Sequence, residues 1–415
     1  MKSKKKSKDE IIRCSSTTLK FSNYGKINNL STFIDEYQKV VSITVDYLWN
    51  MEEISSLLPK EITDIISSQT WLSARSVQSA CKQASGIVRG TRAKQKKRLA
   101  MIKILNKEKQ FKKARKLQRK YDKVKTTKPN IENVCPELDE RFIDMDLENQ
   151  TMFDGWITMT SLGNKIKLVL PFKKTKHFNK MLEEGKIKKG IRISKDKITF
   201  NFLIKKPIPK ENGEIIGIDI GCTDVCAMSD NSHTQFKKDI HGHTLESIQK
   251  KLTTKKKGSK AFARGQKHRT NYIKWYLNQI NFDNVKKIKI ENIKNLRKGK
   301  RISRYLSAWT YPLIRDGLLE KSYRLGVQVD KVCPTYTSQR CSKCGWTRKK
   351  NRKGKKFVCT ACNFACDADH NASLNILLDL SEISKKERLL HKNKTGFYWN
   401  VVRQEPIVPA VQKVA

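Results

Sequence analysis

Two C-x-x-C pairs, Cys341/Cys344 and Cys359/Cys362, are separated by the basic loop GWTRKKNRKGKKFV. This is the spacing of a tetrahedral four-cysteine zinc site, which folds a piece of chain too small for a core of its own. Such a ribbon can be inserted into a loop of a larger domain without disturbing it. Here it is followed almost at once by DADHNASLNILLDL, where Ala372, Ile376, Leu377 and Leu380 predict the buried face of a helix with Asp369 just before it. The ribbon therefore separates the last helix of a domain from the elements before it, and one structural zinc ion per chain is expected. The start MKSKKKSKDEIIRCSS lacks the apolar run of a signal peptide, and no stretch reaches the ~18 apolar residues of a membrane span. A cytoplasmic chain without a membrane partner is expected, in which Cys14, Cys81 and Cys135 are buried thiols and Cys333 and Cys366 are structural.

Charge narrows the partners. The 415 residues include 87 Lys and Arg against 40 Asp and Glu, a formal net charge of +47. A surplus that large repels itself unless the folded surface meets a polyanion, and nucleic acid is the obvious one. From about residue 31 to 127 the apolar spacing is helical, as in STFIDEYQKVVSITVDYLW and SARSVQSACKQASGIVRG. The stretch that follows is so basic that as a helix it carries cations around most of its circumference, with Lys96, Lys97, Arg98, Lys112, Lys113 and Arg115 as candidate phosphate contacts. Between about 150 and 204 the period changes to two. WITMTSLGNKIKLVLPF predicts a hairpin turning at Gly163-Asn164, and GIRISKDKITFNFLIKK a second, together a small β-barrel or sheet. Lys206-Pro207-Ile208-Pro209-Lys210 then predicts a domain boundary.

Beyond it, EIIGIDIGCTDVCAMSDN places Asp219 in an apolar strand between Gly217 and Gly221. A carboxylate there is costly unless something cationic meets it. Glu291 ends the next clear strand, VKKIKIEN, after a basic helical stretch, and Asp369 heads the last helix. Each alone has an ordinary reading, as a strand acid, an exposed strand end and a helix cap. Their order, strand with Asp, further strands, basic helix, strand with Glu, helix, strand and helix with Asp, resembles the succession of an RNase H-like α/β fold, in which three such acids converge. Clustered carboxylates call for divalent cations, and oxygen ligands favour two Mg2+ or Mn2+ ions able to activate a water against a phosphodiester. The ribbon loop, basic and with Trp346 and Phe357 near its ends, suits a strand held beside them. A GIDIG strand also begins sugar-kinase and actin-like ATPases, but the second glycine-rich phosphate loop they need is missing from the sequence.

GIDIG, IKIENIKNLR, GVQVDKVCPTYTSQRCSKCG and DADHNASLNIL together resemble the split RuvC nuclease core and zinc ribbon of the transposon-encoded TnpB proteins and the miniature type V-F CRISPR effectors, over residues ~211–380. The amino-terminal half is similar by layout, and SARSVQSACKQASGIVRG resembles the family's recognition helix, which implies nucleic-acid contacts at Gln78 and Lys82. The resemblance implies barrel (wedge) parts at 1–30 and 128–210, a helical recognition lobe at 31–127, RuvC parts at 211–340 and 366–415, and a ribbon insert at 341–365. It further implies metal ligation by Asp219, Glu291 and Asp369, a guide RNA and a double-stranded DNA target. Ser373 departs from the alanine common in the family. The expected function is RNA-guided DNA cleavage in CRISPR defence, the alternatives being a transposon-associated TnpB nuclease or a non-catalytic zinc-ribbon nucleic-acid-binding protein. A guide-independent junction resolvase would share the acids but has no need of the helical lobe. Two inequivalent copies on one guide RNA are expected, because the stripe Phe33, Tyr37, Val40, Val41, Ile43, Val45, Leu48 and Trp49 is richer than one small lobe needs.

Overall fold

The computed structural model describes residues 9–55, 58–148, 151–232, 238–293, 305, 310–378, 396–400 and 405–407. It divides into two compact units, 1–206 and 207–415.

In the first unit, Asn23 caps helix α1 (Tyr24–Trp49) by accepting from the Lys26 amide, and Leu30, Phe33, Ile34, Tyr37, Val40, Val41 and Leu48 recur at helical spacing on its buried face. Helix α2 (Lys60–Ser67) follows, and Ser73 caps α3 (Ala74–Lys107). The first half of α3 turns the small residues Val77, Ala80, Cys81, Ala84 and Val88 inward, which lets α1 pack against it. This corrects the expected dimer face. Six residues of the stripe, Phe33 through Leu48 without Ile43, are at most 3% exposed, and Ile43 and Trp49 pack on the same core, so the stripe is interior. Beyond Val88 the helix turns polar and pairs with α4 (Phe111–Val124), where Ala114 is buried.

Strands β1 (Glu10–Thr18), β2 (Glu137–Asp139), β6 (Gly185–Ile193) and β7 (Lys197–Lys205) form an antiparallel sheet in the order β1-β7-β6-β2. A second sheet holds β3 (Ile143–Asp146), β4 (Gly155–Met159) and β5 (Leu168–Phe172). Both predicted hairpins form, β4 with β5 and β6 with β7. Period-two alternation buries Ile198, Phe200, Phe202 and Ile204 of β7, and Phe178 of α5 (Lys176–Glu184) stacks edge-on against Phe200 and Phe202. Gly163 has φ +121°, and a Cβ there would lie 2.6 Å from the Trp71 carbonyl, so the hairpin turn tolerates only glycine.

The second unit is built on a sheet ordered β11-β10-β8-β9, comprising β8 (Glu214–Asp219), β9 (Ala227–Met228), β10 (Val285–Glu291) and β11 (Gln328–Val332). β8, β10 and β11 run parallel, and β9 is antiparallel to β8. Helices α6 (Leu245–Thr253), α7 (Lys260–Gln279) and α8 (Tyr311–Arg324) share the sheet's core through Leu245, Ile248, Ile273, Tyr276, Ile314 and Leu318. Helix α9 (Ala368–Leu377) lies on β8. A Cβ on Gly217 would stand 2.1 Å from the Ser373 carbonyl, so this glycine is what lets the helix backbone approach the strand. Leu377 is only half-buried, and Leu380 lies outside the described residues.

Between β11 and α9 sit β12 (Trp346–Thr347), β13 (Arg352–Lys353), β14 (Lys356–Val358) and β15 (Ala365–Asp367). Strands β13, β14 and β15 form a small antiparallel sheet. β16 (Phe397–Asn400), paired in turn with β17 (Glu405–Ile407), adds to β12 and seats Phe397 against Tyr336 with ring centroids 5.1 Å apart. Cys14 is exposed and Cys135 half-buried, so of the three thiols expected inside only Cys81 is buried, against Thr44.

Candidate active site and metal centre

Parallel pairing of Ile218 with Ile290 brings the carboxyl ends of β8 and β10 side by side, so Asp219 and Glu291 project from adjacent strand ends. Asp369 reaches the same place from the first turn of α9. It is not the cap. Asp367 takes that role, accepting from the amides of Asp369 and His370, which leaves the Asp369 carboxylate available.

Glu291 and Asp369 are 8% and 7% exposed, a depth at which a carboxylate needs partners. Thr337 Oγ1 donates to Glu291 Oε1 at 2.5 Å, and the Tyr311 hydroxyl donates to the Glu291 carbonyl. Burial pushes the Glu291 carboxyl up to about 7, against the Thr337 hydrogen bond and the charge of Arg352. Burial and then the charges of Glu291 and Asp369 hold Asp219 well above the usual carboxylate range, opposed by Arg352 and Lys355. Both cations come from the ribbon. Arg352 Nη2 meets Asp369 Oδ1 at 2.7 Å, while Lys355 Nζ pairs with Asp369 Oδ2 and with Asp224 Oδ2 at 2.6 Å. Glu291, pushed toward its neutral form by burial, Asp219, pushed the same way by burial and neighbouring carboxylates, and Asp369, which draws in two cations, form a set that fits hard divalent cations. Both ribbon cations contact this trio at Asp369, one on each carboxylate oxygen.

The cysteines are assembled more tightly. Cys341, Cys344, Cys359 and Cys362 form the one group of three or more possible ligands, among the described residues, whose ligand atoms lie within 4.8 Å of one another. Sulfur separations of 3.8 Å (Cys341 to Cys362) and 3.6 Å (Cys344 to Cys359) exceed a disulfide bond and match the edge, about 3.8 Å, of a tetrahedron with Zn–S near 2.3 Å. The set fits a structural zinc ion.

Phe357 corrects an expectation. It is fully buried among Cys341, Cys359 and Ala368 as the ribbon's core and cannot stack on a base. Trp346 is half-buried, its Nε1 donating to Thr360 Oγ1 at 3.0 Å and its ring 4.8 Å from that of Tyr398. In the first unit Gln78, Lys82, Lys96, Lys97, Lys112, Lys113 and Arg115 are exposed and Arg98 is half-buried.

Several residues went unnoticed in the sequence. Asn375 Nδ2 donates to the carbonyls of Thr337 and Arg340, its Oδ1 accepts from Arg340 Nη1, and Asn371 bonds the Arg340 carbonyl and the Ser342 amide. These two asparagines, four apart on one face of α9, tie the segment bearing Thr337 and the first cysteine pair to the helix bearing Asp369. Their i, i+4 placement among apolar residues was the available signal.

A family model described as "Cas12f1-like, TNB domain" matches residues 313–376, from α8 to α9. Over 92 residues the chain is 40% identical to a CRISPR-associated endodeoxyribonuclease Cas12f1 of Sulfoacidibacillus thermotolerans, covering 22% of this chain and 21% of that one. A TnpB-like protein of Aquifex aeolicus is 34% identical over 92 residues, 20% of this chain and 30% of its own. The chain is a relative of the Cas12f1 and TnpB-like proteins. The aligned stretches span less than a third of either relative. A solved Cas12f1–sgRNA–target DNA complex has a chain 16% identical to this one, with TM-score 0.41 over 89% of this chain and 99% of that one. The stretch matched by the Cas12f1-like model takes in the four cysteines, Thr337, Arg352, Lys355 and Asp369.

Proposed function

We propose that the protein is an RNA-guided DNA endonuclease whose RNase H-like, RuvC-type site lies at the ends of β8 and β10. The observation that carries this reading is the convergence of Asp219, Glu291 and Asp369 from three separated segments, with Glu291 and Asp369 buried and cationic side chains drawn in against Asp369. These residues would hold two Mg2+ or Mn2+ ions. When bound, the ions supply an activated water and charge stabilisation at the leaving oxygen of a phosphodiester. The chain's own contribution is to fix the acids: Thr337 orients Glu291, Asp367 caps the turn that presents Asp369, and Gly217 seats α9. The ribbon, with one structural zinc, brings its basic hairpin to the acids.

Guidance rests on different support. The name of the Sulfoacidibacillus relative is CRISPR-associated, and effectors of that kind leave sequence reading to a guide RNA while the protein binds backbone and a short flanking motif. The +47 charge suits a surface that covers an RNA scaffold, a heteroduplex and a displaced strand. The antiparallel sheets of the first unit, read as a wedge barrel, and the exposed cations of α3 and α4 would face those strands. The likeness to a TnpB-like protein supports a transposon-associated role through the same site, and neighbouring genes, a repeat–spacer array or transposon ends, decide between them. The case for two copies on one guide now rests only on the length of nucleic acid to be covered, and mass photometry of the assembled complex settles it. The test of the proposal is to purify the protein with its bound RNA, sequence that RNA, and supply DNA complementary to its variable end. Cleavage confined to matched DNA is expected; absence of a defined RNA, or equal cutting of unmatched DNA, refutes guidance.

A further inference from the structure

We propose that Lys355 is a tethered counter-cation that competes with divalent ions for the carboxylate site, so that metal loading requires its side chain to swing away. This inference rests on reading the three acids as a metal site and goes beyond it by naming a side chain that must give way when the site takes up an ion.

The ribbon hairpin is built to hold its backbone still and free its tip. Strands β13 and β14 pair Arg352 with Phe357 and Lys353 with Lys356, leaving Gly354 and Lys355 as the turn, with Gly354 at φ +62°. Buried Phe357 roots one side, and the Lys355 carbonyl accepts from the Ala368 amide at 2.8 Å, pinning the turn to the start of α9. The side chains are less constrained. Lys355 is 43% exposed and Arg352 30%, yet both reach inward, each to a different oxygen of Asp369. Both oxygens of one expected ligand are therefore occupied by cations supplied from a neighbouring segment.

Charge balance indicates what exchanges. Asp219, Asp224, Glu291 and Asp369 carry four negative charges when ionised, and Arg352 and Lys355 supply two positive ones. Two divalent ions would balance the four acids completely, leaving both ribbon cations surplus beside the site. A nucleic-acid strand supplies one negative charge per phosphate, so the displaced cations gain a partner when a strand enters. Asp224 adds a latch: its ion pair with Lys355 at 2.6 Å holds the ammonium between the β8–β9 turn and α9. The turn itself is tight, since a Cβ on Gly221 would lie 2.6 Å from the Asp224 carbonyl.

The test is Mn2+ binding to the nucleic-acid-free protein, followed by electron paramagnetic resonance of the free ion. Lys355→Met should bind Mn2+ about tenfold more tightly than the wild type, the effect of removing one half-buried ion-pair partner from a shared site, while Lys355→Arg should remain close to the wild type. Equal or weaker binding by Lys355→Met overturns the proposal. The variant's zinc content reports whether the ribbon has folded, and Lys355→Gln serves if the Met variant has lost its zinc. Asp219→Asn separates the two readings. If it binds Mn2+ as the wild type does, the carboxylates are not the metal site; if it loses binding while Lys355→Met matches the wild type, the site stands and the counter-cation fails.

Discussion

Replacing Gly217 by alanine is a small change with a large calculated consequence. The added Cβ would lie 2.1 Å from the Ser373 carbonyl oxygen and 3.0 Å from the Leu377 amide, both backbone atoms of α9. No side chain can rotate to relieve this, so the helix must retreat by about 1 Å, in the range where overpacking costs roughly 1–3 kcal/mol. A unit of this size loses about 2–4 °C of melting temperature per kcal/mol, so a fall of about 2–12 °C is expected in the transition of the second unit. Retreat of α9 also carries Asp369 away from Asp219, and a displacement near 1 Å costs about a hundredfold in rate where reacting groups must be aligned. The assay pairs a thermal melt with cleavage of guide-matched DNA at saturating Mg2+, with guided binding measured alongside. A variant that melts within about 1 °C of the wild type and cuts at its rate would show that α9 does not depend on this close approach, and the account of how Asp369 is positioned would fail.

Other perturbations address the remaining parts. Cys341→Ser or Cys359→Ser should take the bound zinc from one ion per chain to none by elemental analysis, and lower cleavage more than RNA binding; a purified wild type without zinc refutes the metal centre. The metal-free protein should lose stability with rising pH through Glu291, because its folded carboxyl, near 7 against an ordinary 4.5, keeps a proton that the unfolded chain has released. The loss runs from about pH 4.5 to about pH 7, so with chelator present the melting temperature of the second unit should be lower at pH 8 than at pH 5, and Glu291→Gln should flatten the difference. Substituting Lys112, Lys113 and Arg115 by Gln should reduce the salt dependence of RNA binding, by about one in log–log slope for every phosphate these side chains neutralise; an unchanged slope means that α4 presents only a solvated face.

What the sequence revealed follows the length scale of each signal. Period two in KITFNFLIK and helical spacing in α1 are local, and both elements form where predicted. The four cysteines were legible because ligand spacing is itself a local constraint. Asp219 and Glu291 were legible through order, since parallel strands in one sheet put their carboxyl ends together. What escaped depends on packing between distant segments. Nothing in TRKKNRKGKKF distinguishes Arg352 and Lys355 from the cations around them; only the β13–β14 turn selects those two to face Asp369. The α1 stripe failed as a dimer face because a sequence shows that a surface is apolar but not what covers it, and here α3, α5 and two sheets contribute to the same core. Asp367 and Asp369 compete for the cap, and only the turn geometry assigns it to Asp367.

The central claim, that Asp219, Glu291 and Asp369 form the cutting centre of a guided nuclease, is tested most directly by one comparison. Wild type and Asp219→Ala, each carrying the same guide RNA, are given matched double-stranded DNA with Mg2+, and strand scission is followed on the bound complex. The account predicts scission by the wild type and none by Asp219→Ala at comparable DNA occupancy, because base pairing and backbone contacts, not this carboxylate, carry affinity. Cutting by Asp219→Ala at the wild-type rate would contradict it.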